Sequence, residues 1–186
     1  YAVGPTLGAG AAAVMDDGRI QFPWCYKEAE VMENGPTRFA VRLDFSPVQI
    51  CGRQVTEHRI ITLEAGSQLA HCEVWYEGLD KTVTAVAGFP RRDDSKAICN
   101  ARKGFVGYAD PTQGKDNGKA MLGLVMNNKV KKIAEDQGHI LAYTTLKPGQ
   151  KLDYYYGFAW DRAGDIKDMS EWEAYLDKFS NAHRGK

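Results

Sequence analysis

Up to about residue 160, apolar and polar side chains alternate with a period of two, the pattern of half-buried strands. Arg38–Phe45 is the clearest case: Phe39, Val41, Leu43 and Phe45 alternate with Arg38, Ala40, Arg42 and Asp44. The same reading predicts strands over Ala12–Met15, Arg19–Tyr26, Lys27–Glu33, Val48–Ile50, Gln54–Glu64, Leu69–Tyr76 and Lys81–Ala87. One or two more fall within Ala97–Asp110, and the series ends with Lys119–Asn127, Lys129–Glu135, His139–Leu146 and Lys151–Trp160. Asp16-Asp17-Gly18, Asn34-Gly35-Pro36, Ala65-Gly66-Ser67 and Asp136-Gln137-Gly138 supply the turns, because Asp-Gly and Asn-Gly tolerate the positive φ angles of tight hairpins. Phe89 to Ser95 and Pro111 to Gly118 read as loops. After the last strand the period changes. Trp172, Tyr175, Leu176 and Phe179 share one face at helical spacing, and Ser170 with Glu173 forms an S-x-x-E capping box, so a helix is expected near Ser170–Ala182, plugging an open side of a sheet. The pattern predicts an all-β fold: an antiparallel β-sandwich with one C-terminal α-helix.

The chain has 186 residues, 44% of them hydrophobic, which fits a single domain over 1–186 with a core that needs no staples. Twenty-four Lys and Arg balance 24 Asp and Glu, which argues against a nucleic-acid or membrane-surface binder held by bulk charge. No stretch approaches the ~20 apolar residues of a membrane span, so no membrane insertion is expected. Cys25, Cys51, Cys72 and Cys99 lack any C-x-x-C or Cys/His ligand spacing, so no metal is expected; their even number permits disulfides, but a chain of this size does not need them and buried free thiols are the expectation. The chain opens on Tyr1 with a segment, Tyr1 to Gly10, that reads as mid-domain sequence, as in a fragment or processed form. There is no G-x-S-x-G, Walker loop, H-E-x-x-H or G-x-G-x-x-G, and hence no cofactor is expected.

Three groups of residues could carry chemistry. On Leu69–Tyr76, His71, Glu73 and Trp75 project from one face, opposite Cys72 and Val74. An imidazole beside a carboxylate can serve as an acid–base pair, although the same residues also make an ordinary cross-strand ion pair on a solvated face. On Gln54–Glu64, Glu57 and Arg59 share one face while His58 takes the other with Thr56 and Ile60, and only one of these sets can join His71. Arg59 could pair with Glu73 or clamp a sugar carboxylate with its bidentate fork. Finally, if Lys147–Gln150 is a hairpin loop, then His139, Tyr143, Tyr154, Tyr156, Phe158 and Trp160 share a face, and Tyr155 stands opposite them as the ring best placed to stack on a sugar. Aromatics this dense also suit a core.

These segments together resemble a known family. Asn34-Gly35-Pro36-x-Arg38-Phe39, Thr56-x-x-Arg59-x-Ile61 and the strand into Tyr76-Glu77-Gly78 resemble sugar-acting β-supersandwiches, the galactose mutarotase-like domains and several polysaccharide lyases. Tyr1-x-Val3-Gly4-x-x-Leu7-Gly8, Asp116-Asn117-Gly118-Lys119, His139-x-Leu141 leading to Leu146-Lys147-Pro148-Gly149, Tyr155-Tyr156-Gly157-x-x-Trp160 and Trp172-x-x-Tyr175-Leu176 are closer still to one group. It is an uncharacterised family, a domain of unknown function from polysaccharide-utilisation loci of Bacteroidetes. The resemblance implies sugar handling in a periplasmic or secreted setting, and a chain that is mainly the C-terminal part of a longer family domain. It carries over no catalytic residue.

The expected function is carbohydrate-active: a lyase or hydrolase on an acidic oligosaccharide, with a non-catalytic binding or accessory sandwich as the alternative and a purely supporting domain as a third. The partner is a carbohydrate, and a homo-oligomer is compatible with the chain. Elimination at a uronic acid needs a charge neutraliser, a base and an acid, for which Arg59, His71 or His139, and Tyr155 are the candidates. Hydrolysis would draw on the carboxylate pair Glu57 and Glu73. Trp75 would stack on the sugar.

Overall fold

The computed structural model describes residues 4–23, 25–112, 114 and 116–183. Tyr1 and Val3 of the first motif, and parts of the loop from Pro111 to Gly118, lie outside the described residues. Among those described, the chain folds as fourteen strands and one helix in chain order: β1 (Ala12–Asp16), β2 (Arg19–Gln21), β3 (Tyr26–Asn34), β4 (Arg38–Phe45), β5 (Val48–Ile50), β6 (Arg53–Glu64), β7 (Leu69–Glu77), β8 (Val83–Pro90), β9 (Ile98–Asn100), β10 (Phe105–Pro111), β11 (Lys119–Met126), β12 (Lys132–Asp136), β13 (His139–Leu146), β14 (Leu152–Trp160) and α1 (Met169–His183).

Two antiparallel sheets face each other. The smaller runs β12-β13-β8-β1-β2, and the larger runs β3-β4-β6-β7-β14-β11-β10-β9, with β5 paired to β6. The main core lies between them, where Ala12, Val14, Ala85, Phe89 and Ile140 of one sheet meet Cys72, Val74, Tyr108, Leu124 and Tyr154 of the other. Each sheet is also covered in part on its outer side. Leu7 closes over Ala13, Ile20, Val86, Leu141 and Tyr143 of the smaller sheet. That is why β8 is buried almost throughout and loses its alternation.

The helix covers the outer face of the larger sheet. Trp172 and Leu176 pack with Leu69, Phe105, Met121 and Val125, and the Trp172 indole N–H donates to the Leu122 carbonyl at 2.9 Å. The seat is flat because Gly107 and Gly123, which lie directly under Trp172 and Leu176, are paired on adjacent strands. A methyl on Gly123 would come within 2.5 Å of the Trp172 ring. Asp168, not Ser170, caps the helix: its carboxylate accepts from the Ser170 and Glu171 amides, both at 2.9 Å, and the Glu171 side chain returns to the Lys167 amide at 2.8 Å. The capping box is therefore shifted two residues, and Asp168-x-x-Glu171 fills the same stereochemical role.

Several other expectations shift. Arg19–Tyr26 is broken after Gln21, where Phe22 and Pro23 carry the chain from the smaller sheet to the larger. The strand expected from Lys129 begins at Lys132, and Phe89 and Pro90 extend β8 into the expected loop. The largest correction concerns Lys147–Gln150. It is not a hairpin loop, because β13 belongs to the smaller sheet and β14 to the larger. The aromatic residues therefore divide. Tyr154 and Tyr156 face the sandwich interior, whereas Tyr143 and His139 lie on the outer side of the opposite sheet.

Candidate functional site

The outer face of β7 carries His71, and antiparallel register sets Thr62 of β6 on one side of it and Tyr155 of β14 on the other. The imidazole Nε2 lies 2.8 Å from Asp153 Oδ1. The same oxygen accepts from Asn127 Nδ2 at 2.8 Å, and the Asp153 amide donates to Asn128 Oδ1 at 2.6 Å. Burial works against the charge on Asp153, but the hydrogen bonds from His71 and Asn127 and the nearby Lys151 outweigh it and hold the carboxyl below its usual range. An ionised carboxylate only accepts, so Nε2 of His71 carries the proton of this bond.

A ring column stands on this dyad. The Tyr155 ring stacks on His71 with centroids 4.6 Å apart, and Phe179 of α1 meets Tyr155 edge-on at 4.9 Å. His183 stacks on Phe179 at 3.9 Å and lies 5.2 Å from Tyr155. Tyr175, Phe179 and His183 recur every four residues, so one helical stripe supplies the whole wall. The Tyr175 hydroxyl accepts from the Gln68 amide at 3.1 Å and ties the β6–β7 turn to the helix. Between turn and helix lies a cleft of about 450 Å³, bordered also by Arg38, Thr62 and Glu64. Burial, followed by the Asp153 charge, pushes the Tyr155 hydroxyl up, so it remains a proton donor at neutral pH.

The expected residues are distributed as follows. His71 and Tyr155 come together in the cleft. Glu73 shares the face of His71, but its carboxylate goes to Lys151 Nζ at 2.9 Å, and the carboxylate that engages His71 is Asp153 from the next strand. Trp75 lies two residues further along the same face and outside the cleft lining. Its ring is occupied by protein groups: His58 stacks at 5.1 Å, Lys151 Nζ is 5.3 Å away and Arg42 Cζ 5.6 Å. His58 in turn bonds Asp44, and that hydrogen bond is the main cause holding the Asp44 carboxyl below its usual range.

Arg59 and Glu57 do not join this strip. Pairing of β6 with β7 puts Thr62, Ile60 and His58 beside His71, Glu73 and Trp75, and the two-residue period sends Arg59 and Glu57 through to the interior. There they bond each other, and Arg59 Nη2 donates to the Ala12 carbonyl at 3.1 Å, with its guanidinium 5.0 Å from the Phe45 ring. Burial pushes the Glu57 carboxyl up against the pull of Arg59, while the Glu57 charge keeps Arg59 protonated. His139 is likewise removed from the cleft. On the smaller sheet it donates from Nδ1 to the Gln137 carbonyl at 2.7 Å and accepts the Leu7 amide on Nε2 at 3.2 Å, a fully satisfied buried histidine.

Sequence reasoning missed Asp153 as the partner of His71, and it missed His183, Phe179 and Arg38 as cleft residues. Asp153 stands two residues before Tyr155 on the same strand face, which was a usable signal once that face was chosen. Among the described residues no group of three or more His, Cys, Asp or Glu side chains is placed to hold a metal ion. No described helix is long and apolar enough to cross a membrane.

A two-sheet antiparallel sandwich with a polar and aromatic cleft under its single described helix defines the class. The chain belongs to the family described as Domain of unknown function (DUF4861), whose pattern matches residues 1–185. It is 22% identical to "Uncharacterized protein P7" of Formosa agariphila, a Bacteroidetes, over 97% of this chain and 46% of that protein. The chain thus spans about half the length of this curated relative. Its fold is shared with a solved structure named "Putative kojibiose phosphorylase from human microbiome", with a TM-score of 0.54 and 12% identity over 92% of this chain and 24% of that one.

Proposed function

We propose that this chain is a carbohydrate-active module whose cleft between the β6–β7 turn and α1 takes an oligosaccharide, and that His71 is its proton-transfer group. The observation that carries the reading is the His71–Asp153 pair opening into a cleft walled by Tyr155, Tyr175 and Phe179. Flat rings stack on the C–H faces of sugars, and an imidazole oriented by a carboxylate exchanges protons near neutral pH. The name of the structural neighbour, a phosphorylase of a disaccharide, agrees with a sandwich that serves carbohydrate chemistry. The setting we assign is periplasmic or secreted, as for proteins of polysaccharide breakdown.

Within that reading, elimination on an acidic oligosaccharide fits better than hydrolysis. Hydrolysis asks for two carboxylates facing each other across the bond. Here Asp153 is held by His71 and Asn127, and Glu64 by Arg38, so neither is a free partner for water or leaving group. In elimination, Nδ1 of His71 takes the proton next to the sugar carboxylate. The C–O bond on the adjacent carbon breaks, a double bond forms, and the Tyr155 hydroxyl protonates the departing oxygen. The test is incubation with polygalacturonate, alginate and hyaluronate, beside starch and xylan. New absorbance of an unsaturated uronate that disappears in His71→Ala supports the lyase. Reducing ends without that absorbance mean a hydrolase, and retention on a glycan with neither signal means a binding module.

A further inference from the structure

The basic groups on the outer face of the larger sheet are nearly all spoken for. Arg38 is bound by Glu33 at 2.5 Å and by Glu64 at 3.0 Å. Arg42 is on Asp44, Lys151 on Glu73, and His71 on Asp153. Arg59, the clamp expected from sequence, is shut inside the sandwich with Glu57. Of the basic residues lining the cleft, only His183 meets no carboxylate among the described residues. Its Nδ1 donates to the Phe179 carbonyl at 2.9 Å, four residues back in the last turn of α1, which fixes the ring and leaves Nε2 without a hydrogen-bond partner among the described residues. Stacking on Phe179 and the approach to Tyr155 hold that ring against the aromatic wall.

We propose that His183, protonated, is the residue that recognises the carboxylate of an acidic sugar in this cleft and so sets specificity for acidic over neutral glycans. This rests on the reading of the cleft as a sugar site. A carboxylate accepting from Nε2–H makes a charge-assisted hydrogen bond beside the rings that receive the sugar face. The cation stands at a helix C-terminus, where backbone carbonyls favour positive charge. The charged and titratable groups that line the cleft with His183 are Arg38 from β4, Glu64 from β6, His71 from β7, Tyr155 from β14 and Tyr175 from α1. Glu64, the carboxylate among them, is already held by Arg38, so an incoming carboxylate does not compete with it for His183. Because Nδ1–H is already given to the Phe179 carbonyl, Nε2 carries a proton for a carboxylate only when the ring is charged, so the preference for acidic sugars is built to fade toward alkaline pH.

The experiment is calorimetric titration at pH 5.5 and 8.0 with tetrasaccharides of galacturonate, mannuronate and hyaluronate, each beside its carboxyl-reduced neutral counterpart. Wild type should bind the acidic member of its preferred pair about ten-fold more tightly at the lower pH, the scale of one charge-assisted hydrogen bond, and lose most of that margin at the higher. His183→Gln should bind both members alike at either pH. His183→Lys should keep the acidic preference at both, a rescue that a merely structural role would not give. Selectivity that survives His183→Gln, or that vanishes in Arg38→Ala instead, overturns the assignment while leaving the cleft a sugar site. Failure of wild type to bind any of the six sugars removes the sugar site itself, and this inference with it.

Discussion

His71 and Tyr155 face each other across β7 and β14 as directly paired residues, with their rings stacked 4.6 Å apart. The strand register therefore brings the proton-transfer group and the aromatic wall together without help from any loop. Asp153, one strand step away on the same face as Tyr155, completes the set.

Replacing Asp153 by Asn should leave the ring in place but exchange a carboxylate that only accepts for an amide that can also donate, so the tautomer is no longer fixed. Long-range nitrogen–proton NMR should show the His71 proton on Nε2 in wild type and a mixture or the reverse in Asp153→Asn. Turnover of the active glycan should fall on the order of 10²-fold through kcat, with little change in KM. A His71 proton found on Nδ1 in the wild type would contradict the assignment.

Asp44 sets part of the acid limb of stability. Its carboxyl lies lower in the folded chain than the roughly 3.9 of an unfolded one, chiefly through the His58 hydrogen bond. A group depressed in this way contributes stability that is complete above the unfolded value and is lost as the pH falls through the folded value. Asp44→Asn should thus lower the melting temperature at pH 7 and flatten its fall as the pH drops below about 4. Parallel acid limbs in variant and wild type would show that the carboxylate does not contribute.

The interior Glu57–Arg59 pair should be costly to break and cheap to remove. Arg59→Met strands a buried carboxylate and should cost about 3–5 kcal/mol in urea unfolding, whereas Arg59→Met with Glu57→Leu should recover most of it. The double variant should keep the cleft, since neither residue reaches it. Equal loss in the single and the double variant would point to packing and not to charge.

Gly123→Ala tests how closely the helix is seated. The added methyl would stand 2.5 Å from the Trp172 ring and 2.8 Å from Leu176. The cost should be about 1–3 kcal/mol, with a changed near-ultraviolet tryptophan signal and weaker sugar binding, because the cleft wall moves with the helix. An unaltered spectrum would mean that the seat has more room than the spacing implies.

The four thiols should separate by access. Cys25 and Cys99 are exposed, Cys51 is half-covered and Cys72 is buried, its thiol pushed up to about 11 by burial. A disulfide-exchange reagent should label the two exposed thiols first and Cys72 only on unfolding. Rapid labelling of Cys72 would contradict its place in the core.

The fold was legible because alternation is a local property: where one face of a strand is buried and the other is not, the side chains record it. The bounds of Arg38–Phe45 and Leu69–Tyr76 came through almost unchanged, although Phe39 is exposed and Ala40 buried in the first, and His71 and Glu73 share a face as their spacing required. Pairing between strands is not local. Gln54–Glu64 offered two faces, and only the register with β7 decided that His58 goes out and Arg59 in. Lys147-Pro148-Gly149-Gln150 suits a hairpin and a sheet-to-sheet crossing equally well, so His139 was grouped with rings that lie across the core from it. The cap moved for a similar reason, since Asp168 and Ser170 are both good N-caps and tertiary packing of Trp172 chose between them.

The cleft has one wall of sheet and one of helix, and the two differ in how firmly they are held. The sheet wall is laced by ladder hydrogen bonds on both sides, while the helix rests on its Gly107–Gly123 seat through Trp172, Leu176 and a few polar ties such as Ser180 to the Lys103 carbonyl. Local openings therefore release the helix before the sheet. A sugar held between the two surfaces fastens them, and by mass action each tenfold excess over its dissociation constant adds about 1.4 kcal/mol to the closed form. Occupancy would be readable far from the sugar itself, as slowed amide exchange along Met169–His183.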